Sequence, residues 1–314
     1  MISGHWMRWF ALWLLAMSVS SSAWATLNVL ACEPEWAALI REIAGDRVRV
    51  TSATTALQDP HHIEARPALI AQARRADLLV CTGADLEAGW LPLLQRESAN
   101  PAIQVGQPGW FEAARWVRLI EKPLSVDRAQ GDVHPAGNPH LHLDPRNLLP
   151  VADALAQRLA TLDPDGAARY EAGRADFSRR LKRALAGWEQ QALRLKGTPV
   201  LVQHKTWSYL VAWLGLAVVA DLEPQPGVEP SAAHLARLLT RLRTQPARML
   251  LRAAYVSPRG GDWLAEKSAV RVVSLPYTVG GSERTRDLIG FYGDIIDRLT
   301  ETEVGNEKEK EAVR

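Results

Sequence analysis

One amphipathic run constrains this chain more than any other feature. Between Pro164 and Gly197 the apolar residues Phe177, Leu181, Leu185, Trp188, Ala192 and Leu195 recur at three- and four-residue steps, which places them along one stripe of an α-helix. Asp163-Pro164 supplies a start, and Gly197 with Pro199 a stop. At about 1.5 Å per residue, Pro164 to Leu195 makes a rod of roughly 48 Å, enough to run along two bodies and restrict their relative motion. Gly173 and Gly187 weaken its intrinsic propensity, so packing must help to hold it.

On each side of the rod, strand and helix patterns alternate. Before it, Leu27 to Cys32, Arg47 to Ser52 and Ala76 to Cys81 read as strands, and Glu33 to Gly45, Pro67 to Arg75, Leu86 to Ser98 and Asn147 to Leu159 as helices. After it come strands at Val200 to Gln203, Ala217 to Leu222, Met249 to Tyr255 and Val270 to Leu275, with helices at Thr206 to Leu214, Ser231 to Leu242 and Arg284 to Thr300. Such alternation predicts parallel sheets flanked by helices. The expected fold is therefore α/β, two lobes each with a mostly parallel sheet, joined by one long connecting helix. The boundaries expected are 26–162 for the first lobe, 163–197 for the connector and 198–302 for the second lobe. The charged, apolar-poor tail at 303–314 is expected to be disordered.

Residues 1–25 read as a secretory signal peptide, with a basic residue, an apolar stretch and Ala23-Trp24-Ala25 at the cleavage position. The apolar stretch falls short of the roughly 20 residues of a membrane span, and no other segment reaches that length, so direct membrane insertion is not expected. A soluble periplasmic protein is the natural reading. Val29-Leu30-Ala31-Cys32 faintly resembles a lipoprotein acylation site, but polar serines and a better cleavage site separate it from the apolar region. The formal net charge of +2 gives no electrostatic case for nucleic acid.

Both cysteines, Cys32 and Cys81, end strand-like runs. If those strands are neighbours in a parallel sheet, their ends bring the thiols together, and an oxidising compartment permits a disulfide. Two buried free thiols are the alternative. Neither cysteine belongs to a Cys-x-x-Cys redox or zinc motif.

Three histidines carry the functional signal. His61 follows Gln58-Asp59-Pro60, His140 follows Asn138-Pro139, and His204 closes the apolar run Pro199 to Val202. A preceding proline holds the backbone in extended or turn geometry, and ligands of open α/β sheets bind beyond the carboxyl ends of strands. The three read as one metal site assembled from two lobes. The patternless loop from Pro123 to Asp144 leads into it and carries His134, a candidate for helping to capture metal. His62 and His142 flank the set, and His234 reads as structural.

These phrases, with Arg75 to Val80 and Gly83 to Glu87, resemble the zinc and manganese solute-binding proteins of ABC importers, the TroA-like family with its ZnuA-type zinc members. The resemblance covers essentially the whole mature chain. It implies capture of metal in the inter-lobe cleft by His61 and His140 from the first lobe and His204 from the second. It also implies delivery to a membrane permease served by a cytoplasmic ATPase, and no enzymatic activity; a monomer is expected. Three imidazoles suit Zn²⁺ better than Mn²⁺, and manganese carriers of the family usually place a carboxylate where this chain has His204. Many relatives have an aspartate in the loop after the last strand, but Leu275 to Glu283 offers no carboxylate at that place. The fourth ligand is left between water, Glu283 and His62. A secreted zinc hydrolase is the alternative function, weakened by the lack of a His-Glu-x-x-His helix or a convincing general base. An adhesin or storage protein of the same fold is another.

Overall fold

The computed structural model describes residues 26–125 and 131–312, so the expected signal peptide at 1–25 lies outside the described residues. Strands β1 (Leu27–Ala31), β2 (Val48–Ser52), β3 (Leu78–Cys81) and β4 (Trp110–Glu112) form a parallel sheet in the order β2-β1-β3-β4. Strands β5 (Pro199–Val202), β6 (Ala217–Asp221), β7 (Met249–Ala253) and β8 (Arg271–Leu275) form a second parallel sheet, ordered β6-β5-β7-β8. Helices on both faces of a sheet demand apolar residues on both faces of its inner strands. Accordingly every residue of β3 is buried, as are the last three of β5.

In the first lobe the helices are α1 (Pro34–Ala44), α2 (Pro67–Arg74), α3 (Leu91–Ser98) and α4 (Leu148–Leu162). The first three have proline in their first turn, where a missing N–H costs nothing. The connector is α5 (Ala167–Ala192), flanked by single 3-10 turns at Pro164–Gly166 and Leu193–Leu195. The second lobe holds α6 (Ser208–Leu214), α7 (Ala232–Thr244), α8 (Arg259–Lys267) and α9 (Leu288–Ala312). Two elements escape the sequence reading. β4 is too short to show a period, and α8 opens on Arg259-Gly260-Gly261, which reads as a turn. The backbone of α9 continues through 303–312, where disorder is expected; glutamate and lysine are good helix formers.

Helix α5 packs on α1 and α4 of the first lobe and on α9 of the second. Its buried stripe includes Tyr170, Phe177, Leu181, Leu185, Trp188 and Ala192, and each large side chain buried there contributes roughly 1.5–3 kcal/mol relative to exposure. Gly173 earns its place by proximity: a Cβ there would sit 2.1 Å from the Ile43 carbonyl oxygen, so glycine lets α5 approach α1. The Arg47–Asp163 ion pair, 2.7 Å long, and the Tyr170 hydroxyl, which donates to the same carboxylate, anchor the start of the connector. One apolar core passes beneath α5 from lobe to lobe. Cys32 and Cys81 form a disulfide at the carboxyl ends of β1 and β3. Among the described residues no helix is long and apolar enough to cross a membrane.

Candidate metal centre

The loop after β2, the connection from β4 to α4 and the end of β5 all open on one cleft between the lobes. They bring His61, His140 and His204 together, with one ring nitrogen of each within 4.8 Å of the others. Ring centroids stand 5.3 Å apart for His61–His140, 5.6 Å for His140–His204 and 6.0 Å for His61–His204.

Local chemistry sets each ring. Asp59 Oδ1 accepts from the His61 backbone N–H at 3.0 Å and lies 2.7 Å from His61 Nδ1. The loop is pinned from the first lobe by Trp90, whose Nε1 donates to the Pro60 carbonyl at 2.8 Å, and Gly89 admits the His61 carbonyl where a Cβ would come within 2.9 Å. Asn138 Oδ1 accepts from the His140 N–H at 3.0 Å, while its amide donates to the Lys205 carbonyl across the cleft at 2.8 Å. His140 Nδ1 lies 3.0 Å from the Tyr277 hydroxyl. His204 Nδ1 lies 2.7 Å from Glu223 Oε2, which also accepts from the Gly227 N–H.

In all three rings Nδ1 is engaged from behind, which leaves Nε2 to face the cleft. Buried His140 Nε2 has no hydrogen-bond partner. A backing carboxylate, which can only accept, places the ring proton on Nδ1 of His61 and His204 and strengthens each imidazole as a ligand, while the Tyr277 hydroxyl holds the orientation of His140. His140 is pushed well below the usual imidazole range, chiefly by burial and then by His61 and His204. It is therefore neutral, as a metal ligand must be.

His134 stands beside this set. Its Nε2 is 3.3 Å from His61 Nε2. Two imidazole nitrogens on one tetrahedral zinc, at about 2.0–2.1 Å each, stand about 3.3–3.4 Å apart. Burial, then His61 and His204, lower its pKa to about 4. By contrast, His62 is largely exposed, its Nε2 3.9 Å from Asp132, and Glu283 is exposed. His142 is buried away from the set, 3.0 Å from the Tyr277 carbonyl and 3.2 Å from Glu35. Its two-residue offset from His140 turns it to the far side of the 3-10 turn Leu141–Leu143.

Sequence reasoning left Asp59, Glu223 and Tyr277 without roles. Asp59 sits in the quoted motif, Glu223 just beyond β6, and Tyr277 just beyond β8. A polar residue at the carboxyl end of β6, the neighbour of the strand that leads to His204, is the signal that could have found Glu223, whereas Tyr277 follows β8, which pairs with β7. Two cavities flank the histidines. One, about 390 Å³, is bordered by His134, His140, His204, Glu121, Asp132 and Asp221; the other, about 500 Å³, by His61, His204, Tyr255, Arg259 and Trp263.

The chain matches the ZnuA family, described as zinc-uptake complex component A periplasmic, over residues 29–302. The zinc-binding lipoprotein AdcA of Streptococcus pneumoniae is 25% identical over 232 residues, covering 73% of this chain and 45% of AdcA, so this chain spans less than half the length of that relative. The high-affinity zinc uptake system protein ZnuA of Bacillus subtilis is 24% identical over 260 residues, 82% of this chain and 80% of that one. The solute-binding protein FpvC of Pseudomonas aeruginosa, solved in complex with Mn²⁺, shares the fold with a TM-score of 0.76 at 21% identity, covering 88% of this chain and 98% of that one. The chain belongs to the ZnuA family, whose members are solute-binding components of metal ABC transporters and not enzymes.

Proposed function

We propose that this chain captures a divalent transition-metal ion, Zn²⁺ before Mn²⁺, between its lobes and delivers it to the membrane permease of an ABC importer driven by a cytoplasmic ATPase. His61, His140 and His204 are the ligands, and His134 is the fourth donor. The observation that carries this reading is the common orientation of the three rings, each engaged at Nδ1 so that Nε2 is turned towards the cleft, where that of His140 has no hydrogen-bond partner. Four imidazoles and no carboxylate favour zinc, because manganese prefers an oxygen-rich shell. The zinc-associated names of AdcA and Bacillus ZnuA support the same choice, whereas FpvC holds Mn²⁺ in its solved form.

The protein works as a monomer in the periplasm, exported by the signal at 1–25. Metal replaces protons or weakly held water at the bare nitrogens, and the ion ties the N-lobe loops to the end of β5. Helix α5 packs on both lobes, which keeps their relative movement small. The test is metal content and competitive binding of the mature protein beside a His61→Ala, His140→Ala, His204→Ala variant. One tightly held zinc per chain, lost in the variant, is expected. Equal retention of metal by the variant, or tighter binding of Mn²⁺ than Zn²⁺, defeats the reading.

A further inference from the structure

The two sheets share one strand order, so they share one topological switch point: between β1 and β3 in the first lobe, and between β5 and β7 in the second. The crevice beyond the strand ends at such a point is where α/β sheets gather ligands. In the second lobe that crevice presents His204. In the first it holds Cys32, Cys81 and Glu87, with both sulfurs and a carboxylate oxygen within 4.8 Å of one another. The cysteines are 0% exposed and Glu87 is 2% exposed. The Thr82 and Gly83 N–H groups hold the Glu87 carboxylate at 2.7 and 3.1 Å. Glu33 completes the group: its Oε2 accepts from the Thr82 hydroxyl at 3.0 Å, while Oε1 is buried without a hydrogen-bond partner. Two sulfurs and the Glu87 carboxylate thus lie together out of contact with solvent, and Glu33, with its unused acceptor, meets the same Thr82 that Glu87 binds.

We propose that the dithiol form of this chain holds a second divalent-metal site, built from Cys32, Cys81 and Glu87 with Glu33 as fourth donor, and that disulfide formation abolishes it. Thiolate and carboxylate donors in a closed shell of four suit zinc. Two thiolates at about 2.3 Å from a tetrahedral ion stand roughly 3.8 Å apart. The strand ends, with Cα atoms 4.8 Å apart, reach that separation when the side chains rotate away from each other. Binding releases the two thiol protons. Oxidation by a disulfide donor then forms the Cys32–Cys81 bond and breaks the donor's sulfur–sulfur bond. The donor leaves as two thiols, their protons supplied by solvent, and the metal departs as the ion. The oxidised chain keeps its cargo only in the cleft, where a partner can take it, whereas the dithiol chain also holds an ion in a buried pocket.

The full chain, prepared oxidised and, anaerobically, as the dithiol, is titrated with zinc for stoichiometry and with Co²⁺ for its spectrum. The oxidised form takes one equivalent with no sulfur-to-cobalt charge-transfer band. The dithiol takes two, shows that band, and loses thiol reactivity roughly tenfold when zinc is added. The variant lacking His61, His140 and His204 takes none when oxidised and one as the dithiol, so the two sites are counted separately and either can fail alone. Glu87→Gln weakens the second equivalent by at least about tenfold and leaves the first unchanged. The proposal is overturned by a dithiol that takes no more metal than the oxidised form, by a second equivalent without the sulfur band, by Glu87→Gln binding as tightly as the parent, or by a dithiol chain that stays unfolded with metal present.

Discussion

The two lobes carry the same four-stranded parallel sheet in the same order, yet they approach the cleft in different ways. The second lobe uses its switch point directly: His204 follows β5, and Glu223, just past β6, backs it at 2.7 Å. The first lobe fills its switch point with a disulfide and the buried carboxylates Glu33 and Glu87. Its histidines arrive instead from the loop after β2 and the long connection after β4. Shared topology offers the same crevice twice, and the side chains occupying it decide which kind of site results. The lobes also depend on each other, since His140 of the first is backed by Tyr277 of the second.

The largest expected effect breaks the first lobe's crevice. Cys32→Ala with Cys81→Ala opens a crosslink of sequence separation 49, which chain entropy values at about 4 kcal/mol. Denaturant unfolding should show the loss, and hydrogen exchange should place it in β1 and β3. Equal loosening of β5 and β7 would mean that the lobes do not respond separately.

Next is the cleft itself. His140→Ala should weaken zinc binding by more than the roughly 10–100-fold typical of losing a group that backs a ligand. Isothermal competition against a chelator measures it, and a smaller loss would remove His140 from the ligand set. Glu223→Ala and Asp59→Ala should each fall within about 10–100-fold. Matching losses would say that the carboxylates act alike in both lobes, whereas no loss at Glu223 would break the comparison on the second lobe's side.

The smallest effect concerns acid stability of the metal-free protein. Unfolded imidazoles protonate near 6.5, while buried His140 and half-buried His134 stay neutral well below that. The unfolded chain then binds more protons, so their contribution to stability is full above about pH 6.5 and is lost as pH falls. Glu33 and Glu87 oppose this. Burial raises both, Glu87 to about 7, so their contribution is present in acid and is lost as pH rises, that of Glu87 through about 7. The readout is therefore the difference between parent and His140→Gln, in which the carboxylate contribution cancels. The variant should lose less stability between pH 8 and pH 5, and parallel curves would refute the assignment.

Much of this was legible in the sequence, for identifiable reasons. Helix α5 announces itself because its apolar stripe persists from Tyr170 to Ala192. Cys32 and Cys81 are paired on paper because neighbouring parallel strands end on the same edge. His61, His140 and His204 stand out because each follows a proline or a buried strand. β4 and α8 escaped because a three-residue strand and a glycine-rich helix start leave no period to read. Glu283 and His62 were reasonable candidates for a fourth ligand by position, but the structure exposes both and sets His134 against His61 instead.

The sequence by itself determined the alternating strands and helices, the two lobes, the connector, the histidine motifs and the family, because periodicity, turn chemistry and motif order are local properties of the chain. Only the tertiary structure decided which ring nitrogen turns to the cleft, which groups from distant strands back the other, and that His134 faces His61 while His142 turns away. Those outcomes depend on ångström-scale distances between residues far apart in sequence, set by how the loops of two sheets meet across one rigid helix.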